Sequence, residues 1–144
     1  MSLEEKPLPA DFVVDESVAT AIRAHLKDEK LPCAKAFAIA TKHDITPITV
    51  GQTADALNVH LSHCQLGLFG YPEHKKAWPA TNVASQPMPP KLEDAIRAAL
   101  SDNGTLACIN AWNIAAHFNI SKMLVAYIAD QMGVRIGPCQ LGAF

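Results

Sequence analysis

The residues of this 144-residue chain with the most reactive chemistry are four cysteines and six histidines, and two of the cysteines carry the same neighbour. Cys64 is followed by Gln65 and Cys139 by Gln140. A deprotonated thiol is a soft metal ligand, and a glutamine amide both donates and accepts hydrogen bonds. Cys64, Gln65, Cys139 and Gln140 could therefore build a metal or small-ligand site where two thiols and two amides meet about a two-fold axis. The competing reading is a pair of buried amides that satisfy helix ends. No Cys-x-x-Cys spacing supports zinc or an iron–sulfur cluster. His60, His63 and Cys64 form a His-x-x-His-Cys run with metal-ligand spacing. The corresponding residues Arg135, Pro138 and Cys139 break that pattern, so such a site would exist once. Cys33 and Cys108 fall on helical faces shared with Phe37 and Trp112 and read as small core residues. The expectation is that no cofactor is needed, with a metal at the cysteines as the open alternative.

No nucleophile elbow or glycine-rich phosphate cradle is present, so no enzyme is expected. Asp55 and Asp130 recur, but a lone aspartate on a helix is ordinarily a solvated or capping group. Net charge is −2, from twelve basic and fourteen acidic side chains, which gives no global attraction toward nucleic acid or anionic membrane. No apolar run reaches the eighteen residues of a membrane span, and no signal-like leader is read, so the expectation is a soluble cytoplasmic protein. In that compartment the thiols are expected to be reduced or metal-bound. Charged residues make up 18% of the chain, below the roughly 25% of ordinary soluble domains, so part of the surface is expected to be covered by a second copy.

The elements that would hold these residues are written twice. Sliding the chain on itself lays Cys33 on Cys108, Ala36 on Ala111, Ile39-Ala40 on Ile114-Ala115 and Ile45 on Ile120. The match continues with Val50 on Val125, Ala54-Asp55 on Ala129-Asp130 and Cys64-Gln65-Leu66-Gly67 on Cys139-Gln140-Leu141-Gly142. Such a period marks repeated supersecondary structure. Apolar spacing predicts a first helix capped by Ser17 and running to about Lys27, with Val18, Ala21, Ile22 and Leu26 inward. A second helix has Cys33, Ala36, Phe37 and Ala40 on one face, and Pro32 in its first turn. Thr46 and Ser121 are the N-caps expected for a following helix, with Pro47 at its first position.

The order Ile39, Ala40, His43, Asp44, Ile45, Thr46 and Val50, matched by Ile114, Ala115, Phe118, Asn119, Ile120, Ser121 and Val125, resembles the helix-turn-helix unit of winged-helix-like DNA-binding regulators. There a small residue lets two helices cross closely and a tight turn follows. Asp44 and Asn119 stand where that family often has glycine, and both tolerate a left-handed backbone. The resemblance implies a mostly helical fold of two three-helix helix-turn-helix-like repeats packed as a pseudo-symmetric unit. Each repeat would end in a short extended segment, where a winged relative starts its wing. The expected boundaries are a tail at 1–15, repeat 1 at 16–69, a proline-rich connector at 70–90 and repeat 2 at 91–144.

The resemblance also implies the nucleic-acid residues. Bases would be read from Thr46, Pro47, Ile48, Gly51 and Gln52 in one repeat and from Ser121, Lys122, Met123, Ala126 and Tyr127 in the other. Lys42, Lys75, Lys76 and Arg135 would meet the phosphate backbone. With one lysine and no arginine at the base-reading positions, this is a poor reading head. Ile48 and Met123 suit protein better than bases. The expected role is a non-enzymatic regulatory or binding protein of helix-turn-helix type, with transcription regulation through DNA as one form of it. The alternatives are a cysteine-dependent metal or ligand module and a protein-interaction scaffold that keeps the motif as architecture. A homodimer is the expected partner.

Overall fold

A computed structural model describes residues 8–71 and 76–144. Lys75, expected to contact phosphate, and residues 1–7 of the N-terminal tail lie outside the described residues. The protein is mostly helical. Each helix pair ends in the backbone pattern its sequence favours. Helix α2 (Cys33–His43) stops at Asp44, which takes a left-handed conformation at φ 54°, and α5 (Cys108–Phe118) stops at Asn119 at φ 54°. Ile45 N–H then bonds Ala40 O at 3.0 Å, and Ile120 N–H bonds Ala115 O at 3.0 Å. These bonds close Schellman motifs that satisfy carbonyls left open at a helix end. The same device ends α3 (Pro47–Ala56) at Asn58 and α6 (Lys122–Gln131) at Gly133, through Val59 N–H to Ala54 O (2.8 Å) and Val134 N–H to Ala129 O (2.9 Å).

The chain divides into two compact units, and the division crosses the sequence repeats. The first holds residues up to Cys64 together with Gln140–Phe144; the second holds Gln65–Cys139. In the first unit α1 (Glu16–Ala24) packs on α2 and α3, burying Val18, Ala19 and Ile22 with Ala36, Ile39, Ala40, Val50 and Ala54. The cap of α1 is Asp15 rather than the expected Ser17: the Asp15 carboxylate accepts Ser17 N–H at 2.8 Å and Ser17 Oγ–H at 2.6 Å. Pro32 sits at the N-cap of α2, just outside its first turn. Strand β1 (Leu31–Pro32) pairs in parallel with β2 (Leu61–Ser62), tying the start of α2 to the exit of α3.

In the second unit α4 (Leu92–Ala98) precedes β3 (Thr105–Leu106), α5, α6 and β4 (Arg135–Ile136), and β3 and β4 are again parallel. Its core is Leu92, Ile96, Leu106, Ala111, Ile114, Ala115, Leu124, Val125 and Ala129, joined by Leu66, Trp78 and Val83. The proline-rich segment is not an extended spacer over its described part. It forms two 3-10 turns, Trp78–Ala80 and Val83–Ser85, the second packed on α6. Trp78 is 9% exposed and Val83 1%, so burial of two large side chains overrides the extended preference of the prolines.

The segments after Cys64 and Cys139 are turns, with no strand among their residues. Gly67 and Gly142 explain this, since both hold positive φ (79° and 78°), which breaks an extended run and which residues with a Cβ rarely adopt. No helix among the described residues is long and apolar enough to cross a membrane.

Candidate functional site

The second helix of each pair, α3 and α6, carries the positions expected to read DNA, and in each unit other parts of the chain occupy them. Four residues along the outer side of α6 are engaged. Ser121 Oγ accepts Leu124 N–H at 3.1 Å, capping the helix, and donates to Gln86 Oε1 at 3.3 Å. Lys122 Nζ sits 4.3 Å from the centroid of the Trp112 ring and donates to Gln65 Oε1 at 3.3 Å. Tyr127 lies against Trp78 with ring centroids 5.8 Å apart. Asp130 pairs with Lys76 Nζ at 3.0 Å, and the same ammonium lies 4.9 Å from the Trp78 ring centroid.

Trp78 holds this arrangement in place through its indole N–H, which donates to Leu66 O at 3.1 Å. Lys122, expected among the base-reading residues, and Lys76, expected at the phosphate backbone, are thus engaged within the fold. A lysine over an aromatic face gains about 0.5–2 kcal/mol, depending on its desolvation. Transferring either ammonium to a phosphate would give up these contacts. Arg135 is exposed on β4. Met123 is only half-buried, so of the two apolar residues at the helix tips it is Ile48, at 41% exposed, that presents more of itself.

On α3 the covering element is the Gln140–Phe144 arm. Gly51 is buried in mid-helix, where glycine costs about 1 kcal/mol relative to alanine. The space a side chain would need is taken: a Cβ on Gly51 would overlap the Leu141 carbonyl, and one on Gly142 would meet Ile48 Cδ1. Leu141 is 2% exposed. Thr46 stands at the N-cap position of α3 without a capping bond and shares a hydroxyl hydrogen bond with Thr49 at 2.7 Å. Thr46 and Lys42 are exposed and Gln52 is half-buried.

The residues expected to form a thiol and amide site are distributed crosswise. Cys64 and Gln140 belong to the first unit, Gln65 and Cys139 to the second. Cys64 is 5% exposed and Cys139 half-buried, while Gln65 is the partner of Lys122. His60 is exposed; His63 Nδ1 and Ser62 Oγ are hydrogen-bonded at 3.0 Å. Among the described residues no three of His, Cys, Asp or Glu come together as a metal-ligand group.

Sequence reasoning missed Gln86 and Trp78 as the residues that cover α6, and Asp130 as the counter-ion of Lys76. The signal within reach was Trp78 itself, a large apolar residue inside an otherwise polar, proline-rich stretch. Compared with protein-family models, with curated proteins and with solved structures, the chain shows no match.

Proposed function

We propose that this is a non-enzymatic binding protein in which two helix-turn-helix-like repeats serve as architecture for protein contact rather than as a DNA-reading head. The pseudo-symmetric repeat is supported by the recurrence of the Schellman ends at Asp44 and Asn119 and at Asn58 and Gly133, and of the two parallel strand pairs. The observation that carries the architectural reading, against a DNA-reading head, is the occupancy of the base-reading helices. Ser121, Lys122, Tyr127 and Asp130 on α6 are engaged by Gln86, Gln65, Trp78 and Lys76, and Gly51 on α3 is closed by Leu141. DNA affinity comes mainly from phosphate neutralisation, and of the four described basic residues at the expected DNA contacts, Lys42, Lys76, Lys122 and Arg135, two are already held.

The test is fluorescence anisotropy of mixed-sequence duplex DNA titrated with the protein at low and at moderate salt. The expected result is no salt-dependent binding. Binding that weakens with a log–log slope of about −0.9 per phosphate contact would overturn this reading in favour of a DNA-binding regulator.

A further inference from the structure

The arms that follow Cys64 and Cys139 are nearly the same peptide, Gln65-Leu66-Gly67-Leu68-Phe69 and Gln140-Leu141-Gly142-Ala143-Phe144. They take the same turn, with Gly67 at φ 79° and Gly142 at φ 78°, and bury the same side chain, with Leu66 0% and Leu141 2% exposed. Each arm belongs to the unit built from the helices of the other repeat, and the crossing falls at matching places, after Cys64 and after Cys139. An arm is therefore recognised by the surface that receives it rather than by the helices that precede it.

The seat on α3 is specific. Gly51 lets the Leu141 carbonyl approach the helix backbone, and Ile48 lies beside Gly142. On α6 the corresponding residue is the buried Ala126, so the two seats are not equivalent. A seat that already accepts a segment from a distant part of the sequence makes the same contacts with that segment from another molecule. Only the tether's effective concentration favours the chain's own arm, and mass action between copies opposes it. Exchange of an identical element is a low-cost route to a closed two-fold dimer, because every contact it forms replaces an identical one.

We infer that the α3 seat formed by Ile48 and Gly51 is an exchange surface that accepts the Gln140–Phe144 arm of a second copy of this chain, closing two chains into an arm-exchanged dimer. The inference deepens the protein-contact reading by naming the partner, and it rests on that reading. Its test does not involve DNA, so the two can fail separately.

The experiment uses full-length chains carrying a photo-crosslinking amino acid at Ile48. Chains labelled with 15N and unlabelled chains are denatured, mixed in equal amounts, refolded together and irradiated over a range of concentrations. Crosslinked peptides joining α3 to the arm are then weighed. Peptides from one chain carry one isotope throughout, whereas an exchanged arm gives a hybrid mass. The expected result is a hybrid fraction that is absent in dilute protein and rises with concentration toward the half expected for random pairing. Crosslinks of uniform isotope alone, up to the millimolar effective concentration of a tethered arm, would overturn the inference. Gly51→Val should abolish both kinds of crosslink by closing the seat, and hybrid crosslinks that persist in it would place the exchange elsewhere and likewise overturn the proposal. Should that variant not fold, the isotope pattern of the chain with native Gly51 decides alone.

Discussion

Ser121 and Thr46 hold the same place ahead of the second helix of each pair, yet only Ser121 caps. Its hydroxyl accepts Leu124 N–H at 3.1 Å, whereas the Thr46 hydroxyl is engaged with that of Thr49. Ser121→Ala should therefore lower stability by about 1 kcal/mol in denaturant unfolding, and Thr46→Ala by clearly less. Equal losses would mean that the hydroxyl bond does not distinguish them. Asp15 makes a second residue-scale case, because two good caps two positions apart cannot be ranked from sequence. The Ser17 hydroxyl, and after it the Ser17 N–H, hold the Asp15 carboxyl below the usual aspartate value. A folded pKa lowered in this way contributes stability that is fully present above the unfolded value of about 3.9 and is lost as pH falls through the lower folded value. The protection of α1 amides, measured as exchange relative to its intrinsic rate at each pH, should accordingly fall in acid below about pH 4. Asp15→Asn, which keeps a capping oxygen, should remove that response; an unchanged acid profile in this variant would show that Asp15 is not its source.

Among the elements, the helices were the most legible, because apolar spacing marks their faces and residues tolerant of positive φ mark their ends. Ile39-Ala40 and Ile114-Ala115 lie inside α2 and α5, as expected. The parallel strand pairs were not legible, since two residues are too few to show alternation. Nor was the fate of the proline-rich segment, whose composition favours an extended chain while Trp78 and Val83 pin it down. Trp78→Phe keeps the ring but removes the donor to the Leu66 carbonyl, leaving a buried acceptor without that bond. It should cost about 1–3 kcal/mol. Trp78→Ala should cost about 3–5 kcal/mol, and Lys76→Ala, which breaks a partly exposed ion pair, at most about 1 kcal/mol. Denaturant midpoints with unchanged slopes would measure all three, and a neutral Trp78→Ala would show that the segment does not hold α6.

At the scale of the whole molecule, self-comparison reveals two matching arms but not which unit each one completes, because the repeated sequence fits either seat. Chain order points to the arm's own repeat, and the structure assigns it to the opposite one. The difference is measurable through Leu66 and Leu141, which are 0% and 2% exposed. Truncating a buried leucine to alanine costs about 2–5 kcal/mol, and the loss should fall on the unit that encloses the side chain. Leu66→Ala should speed hydrogen exchange in α4 and α6 while leaving α2 and α3 protected, although Leu66 lies only a few residues beyond α3. Leu141→Ala should do the reverse, loosening α3 from about ninety residues away while α5 and α6 stay protected. Should Leu66→Ala instead open α2 and α3, each arm would serve its own repeat and the crosswise division would be wrong.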